Sequence, residues 1–341
     1  MKAAVYYSLD DIRIEDTPTP EIKPDEILVE MKACGICGSD LMEWYLKGRA
    51  PLVLGHEPAG IVVKAGKKVK NFELGDRVFV HHHVACLTCH YCLRGAYTLC
   101  GKFSQTRIHP GGFAEYFRVP APNLRIDTLK IPDHLSFEEA TLIEPTACCI
   151  RALNKCNVRP GDTVAIIGDG PSGIIHVMLS RKLGASQIIV SGHHPYRLEA
   201  AKRFGADLTI DSRTEDFAEG VKEATGGRGA DIVIVTAPNI EALSTGMDVC
   251  RRGGTVCVFA STSLGEHMRI KPHRLFFSEI NVIPSYSTSH IETRMALDLI
   301  SSGRIEAREL ITHRFPLSRI SDAFKTAAKI KECLKVVVLN E

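Results

Sequence analysis

Cys86, Cys89, Cys92 and Cys100 fall in one short stretch, spaced C-x2-C-x2-C-x7-C. Four thiolates this close in a reducing compartment make a closed tetrahedral zinc site, because soft sulfur donors saturate the metal. Such a site holds structure and leaves no position for a substrate, so any reaction belongs elsewhere. A second, mixed set of donors is spread over three segments. CGICGSD carries Cys34, Cys37, Ser39 and Asp40, GHEPAG carries His56 and Glu57, and IEPTA carries Glu144. A thiolate, an imidazole and a carboxylate give a zinc site with a place left for water or substrate. Each residue is ordinary alone; their weight comes from occurring together with the four-cysteine stretch.

Gly168, Gly170 and Gly173 form G-x-G-x-x-G directly after the strand-like TVAII and at the start of a helical stretch. In that context the glycines permit a tight turn, close approach of backbone to a pyrophosphate, and close packing of helix on strand. The helix N-terminus then meets the phosphates. The next strand ends at VSGHHP, where an NAD site places an acid for the ribose 2′-hydroxyl. That position, about 20 residues beyond the fingerprint, falls on Gly192, followed by His193, His194 and, nearby, Arg197. With no carboxylate to repel a 2′-phosphate and three groups able to donate to it, NADP is expected in preference to NAD. A plain solvated turn is the other reading of the two histidines.

Elements must position these residues. The first 145 or so residues read as short strands broken by Pro and Gly, among them KAAVYY, EILVEMKACG, AGIVVKAG and DRVFVH. Helical periodicity appears at residues 137–155, a bridge between domains. From Asp162 strand and helix alternate, which predicts a doubly wound parallel sheet with helices on both faces. After about Ser285, TRMALDLISSG and ISDAFKTAAKI flank the strand-like ITHRFPL, and KVVVLN closes the chain. These break the alternation and are assigned back to the first domain. The expected division is residues 1–150 with 285–341, carrying a zinc lobe at 86–100, and a dinucleotide domain at 151–284 inserted between them.

Composition agrees with two ordinary globular domains: 341 residues, 45% hydrophobic and 24% charged. A net charge of +2 gives no case for nucleic acid or a membrane surface. No run of about 18 apolar residues predicts a membrane span, and MKAAVYYSLDDIRIED has acids where a signal peptide would be apolar. A cytoplasmic location is expected. Reduced thiols are therefore expected for the twelve cysteines, with Cys148, Cys149, Cys156, Cys250, Cys257 and Cys333 reading as small buried side chains.

The segments GICGSD, GHEPAGIVV, LGDRV, CLTCHYCLRGAYTLC, GGFAEYF, IEPTAC and IGDGPSG, with their spacing, resemble the zinc-dependent medium-chain alcohol/polyol dehydrogenases over essentially the whole chain. The resemblance implies an α/β fold, a Rossmann sheet inserted into a GroES-like, mostly β catalytic domain. It implies two zinc ions per chain, and a homodimer or homotetramer joined through the nucleotide domains. By motif, Cys37 and His56 resemble primary ligands of the catalytic zinc. Glu144 stands where classical alcohol dehydrogenases have cysteine, as in the sorbitol and threonine dehydrogenase branch. Glu57 resembles the acid that binds the metal directly or through water, and Asp40 the carboxylate that orients the ligand histidine. Cys34 lies outside the ligand pattern and reads as core.

The implied activity is hydride transfer between a secondary alcohol of a polyol, sugar or related hydroxy compound and nicotinamide. Zinc would ease ionisation of the alcohol near neutral pH, and Ser39 matches the hydroxyl that takes its proton. A helix cap at Asp40 is the other use open to Ser39. Where many relatives continue the proton relay with histidine, this chain has Leu41 and Met42, so the proton leaves through the ribose and water, or through Glu57. Trp44 and Tyr45 either line the pocket or pack. His81, His82 and His83 are expected to continue the strand DRVFV, so that either His81 and His83 or His82 alone faces the site. Competing readings are a simple alcohol/aldehyde or threonine dehydrogenase, a zinc-stapled binding protein, and a zinc-free quinone-reductase-like relative.

Overall fold

In Thr163–Ile167 every residue is buried, and Ala230–Val235 repeats the pattern. Strands apolar on both faces belong at the centre of a sheet covered on both sides. They are the third and fourth of six parallel strands, in the order Leu208–Asp211, Gln187–Gly192, Thr163–Ile167, Ala230–Val235, Cys250–Val258 and Asn281–Pro284. In chain order this is 3-2-1-4-5-6, the Rossmann arrangement. The helices Pro171–Lys182, Pro195–Arg203, Phe217–Ala224 and Ile240–Val249 make the first four crossovers, and Pro272–Ser278 lies in the fifth. Pro171 and Pro195 open the first two, where a missing N–H costs nothing. Asp216 and Asn239 cap the other two through side-chain oxygens. Ile189, Val233 and Val256 lie at the core of this unit.

The computed structural model describes residues 1–329 and 332–340. It divides into two units, Met1–Ala147 with Ser287–Glu341, and Cys148–Tyr286.

The first unit is built on a seven-stranded sheet. Its order is Ile311–Pro316, Lys335–Leu339, Ile27–Gly35, Glu57–Ala65, Arg77–Val80 and Thr128–Lys130, with Tyr116–Val119 also paired to Ile27–Gly35. The last strand of the chain pairs antiparallel with Ile27–Gly35, Val337 opposite Gly35. That pairing ties the C-terminal segment to the first unit. A small sheet, Asp11–Asp16, Lys2–Ser8 and Leu52–Val53, stands beside it. Val29, Met31, Phe113, Phe117 and Phe324 fill the core.

Two local expectations change. The periodic stretch at 137–155 is two helices, Phe137–Ala140 and Ile143–Cys156. The first opens on a capping box, with Ser136 Oγ accepting from Glu139 N–H and the Glu139 carboxylate accepting from Ser136 N–H. The strand DRVFV ends at Val80, so His81–His83 leave it and strict alternation does not govern their directions. The helix predicted at ISDAFKTAAKI runs Ile320–Lys329; its Ile330 lies outside the described residues. Among the described residues no helix is long and apolar enough to cross a membrane.

Candidate functional site

The sulfurs of Cys86, Cys89, Cys92 and Cys100 lie within 4.8 Å of one another. Cys89 and Cys92 are 3.5 Å apart, and Cys86 and Cys92 4.0 Å. A tetrahedron with Zn–S bonds of about 2.3 Å has edges of about 3.8 Å, so the sulfurs fit the ion. Backbone N–H groups of Cys86 and Lys102 donate to the Cys100 sulfur. Hydrogen bonds from Thr88 bring the Cys86 thiol down to about 6, whereas burial pushes Cys92 up to about 12. A bound cation displaces the proton that Cys92 otherwise keeps.

Cys37, His56 and Glu57 bring their donor atoms within 4.8 Å of one another. Cys37 precedes the short 3-10 turn Gly38–Leu41, and Glu57 begins the strand Glu57–Ala65. Asp40, buried, ties the two segments together. Its Oδ2 accepts from the Cys37 N–H at 3.0 Å, and its Oδ1 lies 3.4 Å from His56 Nδ1. Holding Nδ1 this way leaves Nε2 for a metal. Burial opposes charge on His56, but Asp40 and Cys37 outweigh it and hold the imidazole pKa well above its ordinary value. Surroundings that favour a proton on His56 favour a cation in its place, so the donor set fits zinc. Cys37, not Ser39, occupies the cap position of the turn; Ser39 lies within it, half-buried.

Glu57 is fully buried, and Lys335 Nζ lies 2.5 Å from its Oε2. Burial works against the lysine's charge, yet Glu57 first and Cys37 next raise its pKa. Gly35 makes room for the pair: a Cβ there would sit 1.9 Å from Glu57 Oε2 and 2.8 Å from Lys335 Cε. Sequence reasoning missed both Gly35 and Lys335.

Glu144, in the first turn of Ile143–Cys156, comes within 4.8 Å of ring nitrogens of His81 and His82. The His82 ring lies 5.0 Å from that of His56. His81 is held through Nδ1 by Asp127 Oδ2 at 2.8 Å, both fully buried, while Thr293 donates to Asp127 Oδ1 at 2.6 Å. His81 Nε2 and His82 Nδ1 have no hydrogen-bond partner among the described residues. Burial, then the neighbouring His83 and His56, lowers the pKa of His82 well below the ordinary imidazole value, so its ring is neutral at pH 7. His83 bonds the Thr106 carbonyl and stacks on Phe103, a packing role. Tyr45 packs on the core and under Arg49, while Trp44 stays half-exposed against its edge.

In the second unit the three glycines divide their work. At Gly168, φ is +122° and a Cβ would meet Thr236 Oγ1 at 2.3 Å. A Cβ on Gly173 would meet the Gly168 carbonyl oxygen at 2.1 Å. Gly170 opens the helix Pro171–Lys182, and a Cβ there would meet only Arg197 Nη1, at 3.9 Å. The first two fix the turn and its packing; the third leaves the open face a pyrophosphate needs, so the cradle fits a dinucleotide. Gly192 does end its strand, yet that strand end is not without an acid. Asp169, from inside the fingerprint, reaches it and accepts from the N–H groups of His193 and His194, each at 2.9 Å. The expectation of an absent carboxylate is corrected there: only the strand's own residue lacks one.

Residues 23–133 match the family described as alcohol dehydrogenase GroES-like domain, and residues 171–302 the family described as zinc-binding dehydrogenase. A sorbitol dehydrogenase of Bacillus subtilis (strain 168) is 38% identical, with 99% of this chain and 97% of that protein covered. The chain belongs to the zinc-dependent medium-chain dehydrogenases. Among this family's members, a D-arabinitol dehydrogenase of Uromyces fabae is 31% identical over 99% of this chain and 97% of its own. A chain from Sinorhizobium meliloti 1021, assigned as a zinc-binding dehydrogenase and solved bound to NADP, superposes with a TM-score of 0.90 at 32% identity, covering 99% of this chain and 98% of that one. As a zinc-dependent medium-chain dehydrogenase, this protein is an oxidoreductase, which sets aside the zinc-stapled binding protein.

Proposed function

We propose that this dehydrogenase oxidises a secondary alcohol of a polyol, and reduces the matching ketose, with NADP preferred over NAD. The observation that carries the reading is the donor cluster Cys37–His56–Glu57, oriented by Asp40 and next to the neutral His82. Cys37 and His56 would hold the catalytic zinc, with Glu144, which lies by His82, as the third ligand and Glu57 kept beside Cys37 and His56 by Lys335. When bound, zinc supplies Lewis acidity toward the alcohol oxygen, and the nicotinamide ring supplies the hydride acceptor. Ser39, half-buried two residues past Cys37, takes the alcohol proton. Lys335 engages Glu57, so Glu57 is poorly placed to carry that proton onward.

A polyol fits better than a simple alcohol because His81 Nε2 and His82 Nδ1 lack partners among the described residues, and the His82 ring lies 5.0 Å from that of His56. Such groups reward additional substrate hydroxyls and are left unpaired by an alkyl chain. The relatives named as sorbitol and arabinitol dehydrogenases support the same class. In the second unit, Gly168, Gly170 and Gly173 cradle the pyrophosphate, and Gly192, His193, His194 and Arg197 receive the 2′-phosphate. The NADP-bound neighbour supports that preference.

A cytoplasmic setting suits thiolates that must stay reduced to bind metal. A homodimer or homotetramer is part of the reading. Its support is the edge strand Asn281–Pro284 of the second unit, near exposed Phe276 and Phe277. The test is a panel of sorbitol, xylitol, arabinitol, inositols, threonine and short alcohols, each with NADP and NAD. The expected result is highest kcat/KM for a polyol with NADP; a preference for threonine or a short alcohol defeats the substrate reading.

A further inference from the structure

In the second unit, Asp169 is 4% exposed, and its carboxylate is turned inward. Its Oδ2 accepts from both His193 and His194 N–H, and lies 3.0 Å from His194 Nδ1. Its Oδ1 lies 3.1 Å from the same ring nitrogen and 4.0 Å from Arg197 Nη1. The carboxylate occupies the space a side chain at residue 192 would need: a Cβ on Gly192 would fall 2.3 Å from Asp169 Oδ2 and 2.5 Å from its Cγ. Asp169 and Gly192 are therefore a matched pair. The acid that an NAD site carries at the end of its second strand comes here from the fingerprint loop and is turned onto the His193 and His194 N–H groups.

We propose that Asp169 is a positioning residue that sets the preference between the phosphorylated and unphosphorylated cofactor by fixing His193, His194 and Arg197 toward the adenosine ribose. The inference rests on the reading that this unit binds a nicotinamide dinucleotide. Two consequences follow from the geometry. Oδ2 is already used by two backbone N–H donors and the His194 ring, so this carboxylate has less left for a ribose 2′-hydroxyl than a free acid at the strand end would. The groups it anchors, the His193–His194 turn and the Arg197 guanidinium, are the ones a 2′-phosphate would meet. Arg197 Nη1 borders the open face of Gly170, and the His193 ring is exposed and stacked on His194 at 3.9 Å between centroids. Hydrogen bonds to an ionised phosphate are stronger than those to a neutral hydroxyl, so orienting the donors is enough to decide the ratio.

The test compares wild type with Asp169→Asn, which keeps the shape and removes the charge, and with Asp169→Gly/Gly192→Asp, which returns the acid to the strand end. Binding of 2′,5′-ADP and of 5′-AMP is measured by calorimetry, together with KM and kcat for NADP and NAD. Asp169→Asn is expected to weaken 2′,5′-ADP by roughly tenfold and 5′-AMP far less, with the change in KM for NADP exceeding that in kcat. The double variant is expected to favour NAD, whereas Gly192→Asp alone, which must displace Asp169, is not. Equal weakening of both adenosine ligands by Asp169→Asn, or no change in either, overturns the proposal. So does a single Gly192→Asp variant that favours NAD as strongly as the double. A wild type that prefers NAD overturns the NADP reading alone; the role of Asp169 then stands if its substitution still moves the ratio and falls if it does not.

Discussion

Glu57 has no exposed surface, and its neighbours Cys37 and His56 are themselves polar, so Lys335 is what balances its charge. A buried ion pair loses most when only one partner is removed, because the other charge stays behind without water. Lys335→Met is expected to destabilise the fold by about 3–5 kcal/mol, and Lys335→Met/Glu57→Gln by clearly less. Urea unfolding of the two variants checks this; equal losses would show the pair to be mere packing. Ser39 makes the opposite kind of prediction. It caps nothing, so Ser39→Ala is expected to keep zinc and stability while turnover falls, by a factor in the range of about 10²–10⁴ typical of a lost proton acceptor. Unchanged turnover would remove it from the mechanism. Cys37, His56 and Glu57 were legible in the sequence because each sits in a short motif. Lys335 was not, because the contact joins the last strand to Glu57–Ala65, far away in the chain, and Asp127 behind His81 was hidden for the same reason.

The helix Pro171–Lys182 carries more than the phosphate cradle. Its His176 is fully buried, with Nδ1 2.7 Å from the Ser172 carbonyl and the ring edge-on to Phe259 at 4.7 Å. A carbonyl only accepts, so Nδ1 carries the proton of the neutral ring. Burial, partly offset by that bond, lowers its pKa from 6.5 to about 4. The unfolded chain therefore binds a proton that the folded one refuses. Stability is full above pH 6.5 and falls as pH drops toward 4, by up to about 3 kcal/mol from this residue. In His176→Phe the dependence of urea midpoints on pH across that window is expected to flatten; an unchanged slope would place the acid sensitivity elsewhere. At this scale the sequence was readable where periodicity is local. The alternation from Asp162 and the switch after Ser285 both appear in the strand order. The break between Phe137–Ala140 and Ile143–Cys156, and the turn of His81–His83 out of their strand, depend on tertiary contacts that a pattern does not record.

For the whole molecule, the chain keeps a saturated sulfur site and an unsaturated mixed-ligand site in one unit, and a phosphate cradle in the other. On the proposed reading, the four-cysteine set would hold a metal for structure and the mixed set one for chemistry. The cofactor subsite is the part read least directly from sequence, because the carboxylate at that strand end comes from Asp169 and not from the strand's own residue. The measurement that tests the account most directly is zinc content per chain alongside polyol oxidation, in wild type and in Cys37→Ser. Wild type is expected to hold about two zinc ions, and Cys37→Ser about one, kept by the four-cysteine lobe, with oxidation abolished. A Cys37→Ser protein that still holds two zinc ions and still oxidises polyols would contradict the account.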